Sequence, residues 1–586
     1  MVREWDLASN DIKAVLSNKT IKLLVTCRSH IFLSRHFQII KLLSDSKYDL
    51  NSTTNSLKYN EKELIAKAYL NDVEIEQISE HIMLYDFFPM LCQIYRANKT
   101  VDIKTFFSFP VQVIQDELTL VELTRMMNAV DRTTYAVLVL FVIYNNDLQE
   151  ELLSRNSDIK SILDGIVDVC ELQFNLSKQI IKSHLDNLEG SYIKKTGNAY
   201  HVLSDKIFDI VVAFYGNHMF DYILEMAHSE IIRDRYLFSS LEDDVECVIK
   251  VQLDKEQPYF DRVISDIRNG FLCNVFNNRQ LLYTAYRQKF VQYLESQTDI
   301  SKLLEMSSQS ELSPLLTIAD QGYHDIGETL INFKLDVDVR DKNGRTPLFL
   351  SSRKGYKEMT LLLLKNNCNP NLCTNDRLSP LYAATSQGHI EVVKILLQHG
   401  SVPDLCDKRG RSPLLLAASN GSTKIVEALL ECSSNPNLSD QEGTTPLLIA
   451  THWGNTDTVK LLLEKKCCPN LCKEGVSPPL NVAVANGQIE IVKLLLKHKC
   501  DPNSLDKQDL PTLYVAARKS FIEILDILLQ NLDVNDKTRV ESLLTSITRS
   551  EEHVLKLLLE HKCIPSIQEK LPILGCALSY SASHCT

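Results

Sequence analysis

The chain has 586 residues, 44% of them apolar and 24% charged, a composition suited to more than one folded domain. Its formal charge of -12 argues against a broad nucleic-acid or anionic-membrane surface. Met1-Val2-Arg3-Glu4-Trp5-Asp6 lacks the apolar core of a signal peptide, and the longest apolar run, Ala136 to Tyr144, is too short to span a bilayer. The chain therefore reads as intracellular and cytoplasmic.

Asp11 to Leu16 reads as the end of a helix. Ile21 to Val25 is a short buried strand of the parallel-sheet kind. It runs into Thr26-Cys27-Arg28, which sets a guanidinium at the strand edge where ligands bind in open α/β sheets; an Arg there is also an ordinary solvated residue. Leu57 to Tyr69 is an amphipathic helix with Asn60 as its cap. Phe87-Phe88-Pro89-Met90-Leu91-Cys92 and Phe106-Phe107-x-x-Pro110 follow, and then two long helices.

Leu176 to Leu188 is a further helix. Tyr192 to Lys195 and Ala199 to Val202 are strands of a hairpin around Thr196-Gly197-Asn198, and Ile207 to Tyr215 is helical again. This order resembles the back half of a STAND-type NTPase module, as in the NACHT/NB-ARC relatives of innate sensors. The resemblance implies an α/β core remnant at 1–50, a helical subdomain at 51–125 and a winged-helix-like subdomain at 126–220. It places Arg28, Pro89 and Asp205 near a nucleotide. The family opens the last helix with His-Asp; here the pair is Ser204-Asp205, so only Asp205 matches.

The phosphate cradle G-x-x-x-x-G-K-[ST] is missing, and no buried strand ends in paired acids. Asp243-Asp244 reads as a solvated face. No catalytic residue is assigned and hydrolysis is not expected, because phosphoryl transfer is nearly all positioning by those missing parts. The chain reads as a fragment or a truncated relative; ATP and magnesium belong only to a longer form, and oligomerisation would run through the STAND-like module. As a DNA reader the hairpin module is weak: Lys178, Lys182 and His184 lie beside Asp186 and Glu189. Residues 221–309 read as a helical bridge with Tyr259-Phe260 and Phe271-Leu272 as core anchors.

From Ser313 onward one phrase returns every 33 residues: Ser313-Pro314-Leu315, Thr346-Pro347-Leu348, Ser379-Pro380-Leu381, Ser412-Pro413-Leu414, Thr445-Pro446-Leu447, then Pro478-Pro479-Leu480 and Pro511-Thr512-Leu513. Ser or Thr caps a helix, Pro sits where its missing N–H costs nothing, and a Gly nine residues on ends the helix left-handed. A second helix carries a Leu pair, such as Leu429-Leu430. No unit can bury its own stripe, so the units must stack. The phrase closely resembles the ankyrin repeat. That implies a mainly α fold, with an α-solenoid over 310–586 of about eight units, the last incomplete, recognising a protein partner on its concave face. No nucleic-acid, membrane or metal partner is expected.

Many of the sixteen Cys are locked to the repeat: Cys368, Cys467 and Cys500 share one register, and Cys373, Cys406 and Cys472 another. They read as small buried hydrophobes; only Cys467, Cys468 and Cys472 are dense enough to weigh as metal ligands. By resemblance the partner-lining positions are the ends of the first helices: Arg353-Lys354, Ser386-Gln387, Ser419-Asn420, His452-Trp453, Ala485-Asn486 and Arg518-Lys519. Trp453 is either a partner anchor or packs on the neighbouring hairpin stem. The turn tips Asp341 to Arg345, Asp407 to Arg411 and Asp440 to Thr444 mix charge signs and would tune partner choice. The array decays at Ser520 and Ser550, which replace the Gly. Function then reads as an ankyrin interaction scaffold coupled to a STAND-like regulatory module in intracellular signalling or innate sensing. The alternative is an ATP-dependent STAND switch whose P-loop lies upstream.

Overall fold

A computed structural model describes residues 129–531, with breaks at 154–158, 170–176, 190–192, 203–204, 242–246, 298, 308–312, 474 and 509, and isolated stretches between 66 and 119. The expected strand at Ile21 to Val25, the Phe88-Pro89 turn, Arg28, Ser204, Asp243-Asp244 and Ser550 lie outside the described residues. The described residues form two compact units. One holds residues up to Ile231 together with Asp243–Lys250, the other Ile232–Glu242 and everything from Val251.

The first unit is built around the apolar run seen in the sequence. Helix α1 (Ala129–Ile143) buries Tyr135 through Ile143 without a break. It ends at Asn145 and Asn146, both at positive φ, a conformation Asn tolerates better than other residues with a Cβ. Strand β1 (Leu148–Gln149) follows, then helices α2 (Ile159–Val169) and α3 (Lys178–Leu188), strands β2 (Ile193–Thr196) and β3 (Ala199–Val202), and helix α4 (Asp205–His218). Strand β3 is central, antiparallel to β1 and β2, with Leu148 opposite Tyr200 and Ile193 opposite Val202. Gly197 turns the β2–β3 hairpin at φ 61°, a conformation its missing Cβ allows.

The polar residues of α3 are tied down inside this unit. Lys182 and Lys195 both hold Glu150, at 2.5 and 2.9 Å. Hydrogen bonds from Lys182 and then Lys195 draw the Glu150 carboxyl down to about 2. The Tyr200 hydroxyl donates to Asp186 at 2.8 Å, and His184 lies 2.7 Å from the Thr134 hydroxyl.

The second unit opens with an aromatic core of Phe238, Tyr259, Phe260, Tyr286 and Phe290, all buried. Tyr259 accepts from Asn278 and Gln280, and burial pushes its phenol up to about 12. Of the expected anchors, Tyr259, Phe260 and Leu272 are buried, but Phe271 is 41% exposed: it precedes a short helix instead of lining it. The stretch read as wholly helical also contains a strand, Tyr236–Phe238.

Helix pairs then repeat from Pro314–Gln321 and His324–Asn332 to Thr512–Arg518 and Ile522–Asn531. Thr346, Ser379, Ser412 and Thr445 each accept from the backbone N–H three residues on, as the capping phrase requires. Leu348, Leu381, Leu414, Leu447 and Leu480 are at most 1% exposed, and the first Leu of each pair in the next helix, Leu363 to Leu495, is fully buried. The first Ser-Pro unit is itself covered. Arg287, on the helix Thr284–Ser296, donates to Asp325 at 2.7 Å and to the Leu281 carbonyl, and lies over the Tyr323 ring.

Candidate partner-binding face

Each unit is fixed to the next by side chains that recur at the repeat period. Asp338, Asn371, Asp404, Asn437 and Asn470 are 33 residues apart, and each accepts a hydrogen bond from the backbone N–H 31 residues on. A second set follows the helix-ending Gly. Tyr356 covers Gly322, His389 covers Gly355, Asn455 covers Gly421 and Phe521 covers Gly487; a Cβ on Gly355 would lie 2.7 Å from the His389 ring. His389 also meets the Arg353 carbonyl, and Asn455 donates to the carbonyls of Ala418 and Ser419. Neither set is apparent from the repeat phrase, because each links residues that only stacking brings together.

The hairpin tips are built from their acids. Asp341, Asp407 and Asp440 each accept two backbone N–H bonds within their own turn. Arg345 and Arg411 return to Asp341 and Asp407 at 2.6 and 2.8 Å. Asp407 is 5% exposed. Burial pushes its carboxyl up, but the N–H groups of Arg411 and Arg409, the Arg411 guanidinium and the Tyr382 hydroxyl outweigh that and hold it below the usual carboxylate range. These acids make the turn.

Several first-helix ends are tied to the unit before. Arg353 approaches Asp320 of the preceding unit at 3.6 Å, Asn486 donates to the His452 carbonyl at 3.3 Å, and Lys519 to the Ala485 carbonyl at 2.6 Å. Trp453 is 62% exposed, with the His452 ring edge-on at 5.3 Å. The side chains of Lys354 and Arg518 have no hydrogen bond or ion pair among the described residues. Asp205 sits in the other compact unit, exposed in the first turn of α4, where the helix dipole favours an acid.

Cys368, Cys467 and Cys500 are buried, and burial pushes each thiol up to about 12. Cys468 is exposed. Among the described residues no cluster of three or more His, Cys, Asp or Glu could hold a metal ion, and no helix is long and apolar enough to cross a membrane.

Residues 281–374, 360–440, 415–506 and 480–570 each match the family model described as ankyrin repeats (3 copies). These are ankyrin repeats. The match begins at 281, within the segment that covers the first Ser-Pro unit. The crystal structure of the human ASB11 ankyrin repeat domain is similar, with 27% identity over 38% of this chain and 98% of that one, and a TM-score of 0.33. No curated protein matches the chain. The ankyrin stack supports a protein–protein interaction scaffold.

Proposed function

We infer that the row of first-helix ends is the receptor face of this scaffold, with Trp453 and His452 at its centre and Arg353, Lys354, Arg518 and Lys519 at its ends. The carrying observation is Trp453: framework side chains of the stack are buried, while this large indole is 62% exposed. An exposed Trp is costly to leave in water and is a favoured interface anchor. Binding, not chemistry, is the activity assigned. Trp453→Ala leaves folding intact and abolishes capture of protein partners by the full chain; unchanged capture refutes the assignment.

The regulatory half of the function is a STAND-like module ahead of the repeats, in intracellular signalling or innate sensing. Its support is the motif resemblance and the strand order β1-β3-β2 with two helices before the hairpin, an arrangement consistent with a winged helix. Titrating the full chain with ATP and magnesium tests this half. Tight magnesium-dependent binding would replace a passive regulatory module with a nucleotide switch.

A further inference from the structure

We propose that the receptor face takes an extended acidic segment that carries one large apolar residue between two carboxylate clusters. The proposal rests on the reading of this row as the binding face and specifies its partner. Twelve side chains form the row from Arg353 to Lys519. Arg353, Lys354, Arg518 and Lys519 are cationic, and none of the twelve is acidic, in a chain with 75 acids against 63 bases. The two cationic pairs bracket a neutral stretch, Ser386-Gln387 and Ser419-Asn420, followed by His452-Trp453 and Ala485-Asn486.

Helix-end electrostatics alone do not explain the pattern. A cation suits a helix C-terminus, but four of the six units do without Lys or Arg there. On the second helices Lys493 is matched by acids, lying against Glu490 and Glu523. At the ends of the row Arg353 is answered by Asp320, the matching helix end of the preceding unit, and the other three cations are not matched by an acid among the described residues. Lys354 and Arg518 have no partner among the described residues, and the Lys519 ammonium, held on one carbonyl, keeps two donors.

The spacing sets the ligand's length. Lys354 and Lys519 are five periods apart, and packed helices lie about 8–10 Å from one another, giving a span of about 40–50 Å. An extended chain covers about 3.3–3.6 Å per residue, so about 12–15 residues bridge the ends. Trp453 is three periods from Lys354 and two from Lys519. The apolar anchor therefore sits about 7–9 residues from one carboxylate cluster and about 5–6 from the other.

The test is selection of displayed random 16-residue peptides on the full chain, followed by fluorescence titration of the winners on a Trp5→Phe background. The expected winners carry Asp or Glu near both ends and an aromatic or Leu between them, and they shift Trp453 emission. K354E/R518E should weaken them about tenfold and turn selection toward basic ends, while K354Q/R518Q gives a smaller loss. Circular dichroism checks that both variants keep the fold. Winners without acidic ends, or affinity unchanged in K354E/R518E, overturn the proposal. If such winners still need Trp453, the receptor face stands and only the acidic partner falls; if no winner depends on Trp453, both fall.

Discussion

Gly355 and Gly388 occupy the same place in consecutive ankyrin units, and they should respond differently to one methyl group. Both are left-handed, at φ 81° and 78°. Alanine in that conformation costs roughly 1–2 kcal/mol at either position. At Gly388 nothing lies within 4 Å of the new Cβ, so G388A should cost only that. At Gly355 the new Cβ would sit 2.7 Å from the His389 ring, which the Arg353 carbonyl holds at 3.2 Å. Overpacking adds about 1–3 kcal/mol, so G355A should cost about 2–5 kcal/mol. H389A removes the obstruction, and the steric part should vanish in G355A/H389A. Urea unfolding of the full chain, read by circular dichroism, gives the order; native-state hydrogen exchange of the two units localises it, since a repeat array need not unfold in one step. Equal losses for G355A and G388A, or simple additivity of G355A with H389A, would refute the role given to the covering side chain.

Ser520 stands at the same left-handed position, at φ 58°. S520G relieves strain but frees the unfolded chain, so the last described unit should gain about 0.5–1 kcal/mol, seen as slower exchange in Ile522–Asn531. Asp407 has a folded pKa below its unfolded value, so its contribution is present above the ordinary carboxylate range and is lost as pH falls through the folded pKa. The urea midpoints of native chain and D407N should therefore differ at pH 7 and converge in acid; a constant gap down to pH 2 contradicts this. Buried Cys368, Cys467 and Cys500, with thiols at about 12, should resist iodoacetamide at pH 8, where on the order of one in ten thousand is thiolate, while Cys468 labels quickly. Mass spectrometry of the peptides separates them, and labelling of Cys500 as fast as Cys468 would count against its burial.

The repeat units were legible because each is specified locally. Cap, Pro, buried Leu and terminal Gly fall within one short phrase, and from Thr346 to Thr445 each position does in the structure what its chemistry dictates; Ser313 makes no cap bond. The Cys368, Cys467 and Cys500 register was legible for the same reason, while Cys373, Cys406 and Cys472, read as buried too, are only half-buried. What binds one unit to the next was hidden. Nothing in the repeat phrase marks Asn437, yet its side chain accepts from the Cys468 N–H in the following unit. Asp407 reads as a surface charge, yet its oxygens build the turn it occupies. Lys519 reads as a partner contact, and it also secures the preceding helix end. The exposure of Trp453 is likewise something no local pattern encodes.

The acceptors from Asp338 to Asn470 make the length of the wall adjustable only in whole steps. Excising residues 379–411 would bring the Asn435 amide to the place that Val402 leaves on Asn371, and every later rung would close as before. A deletion that is not a whole number of periods would leave a donor facing the wrong residue. Gene segments of one period can therefore be gained or lost without disturbing the joints, and the reach of the receptor face would lengthen or shorten by one ligand footprint each time.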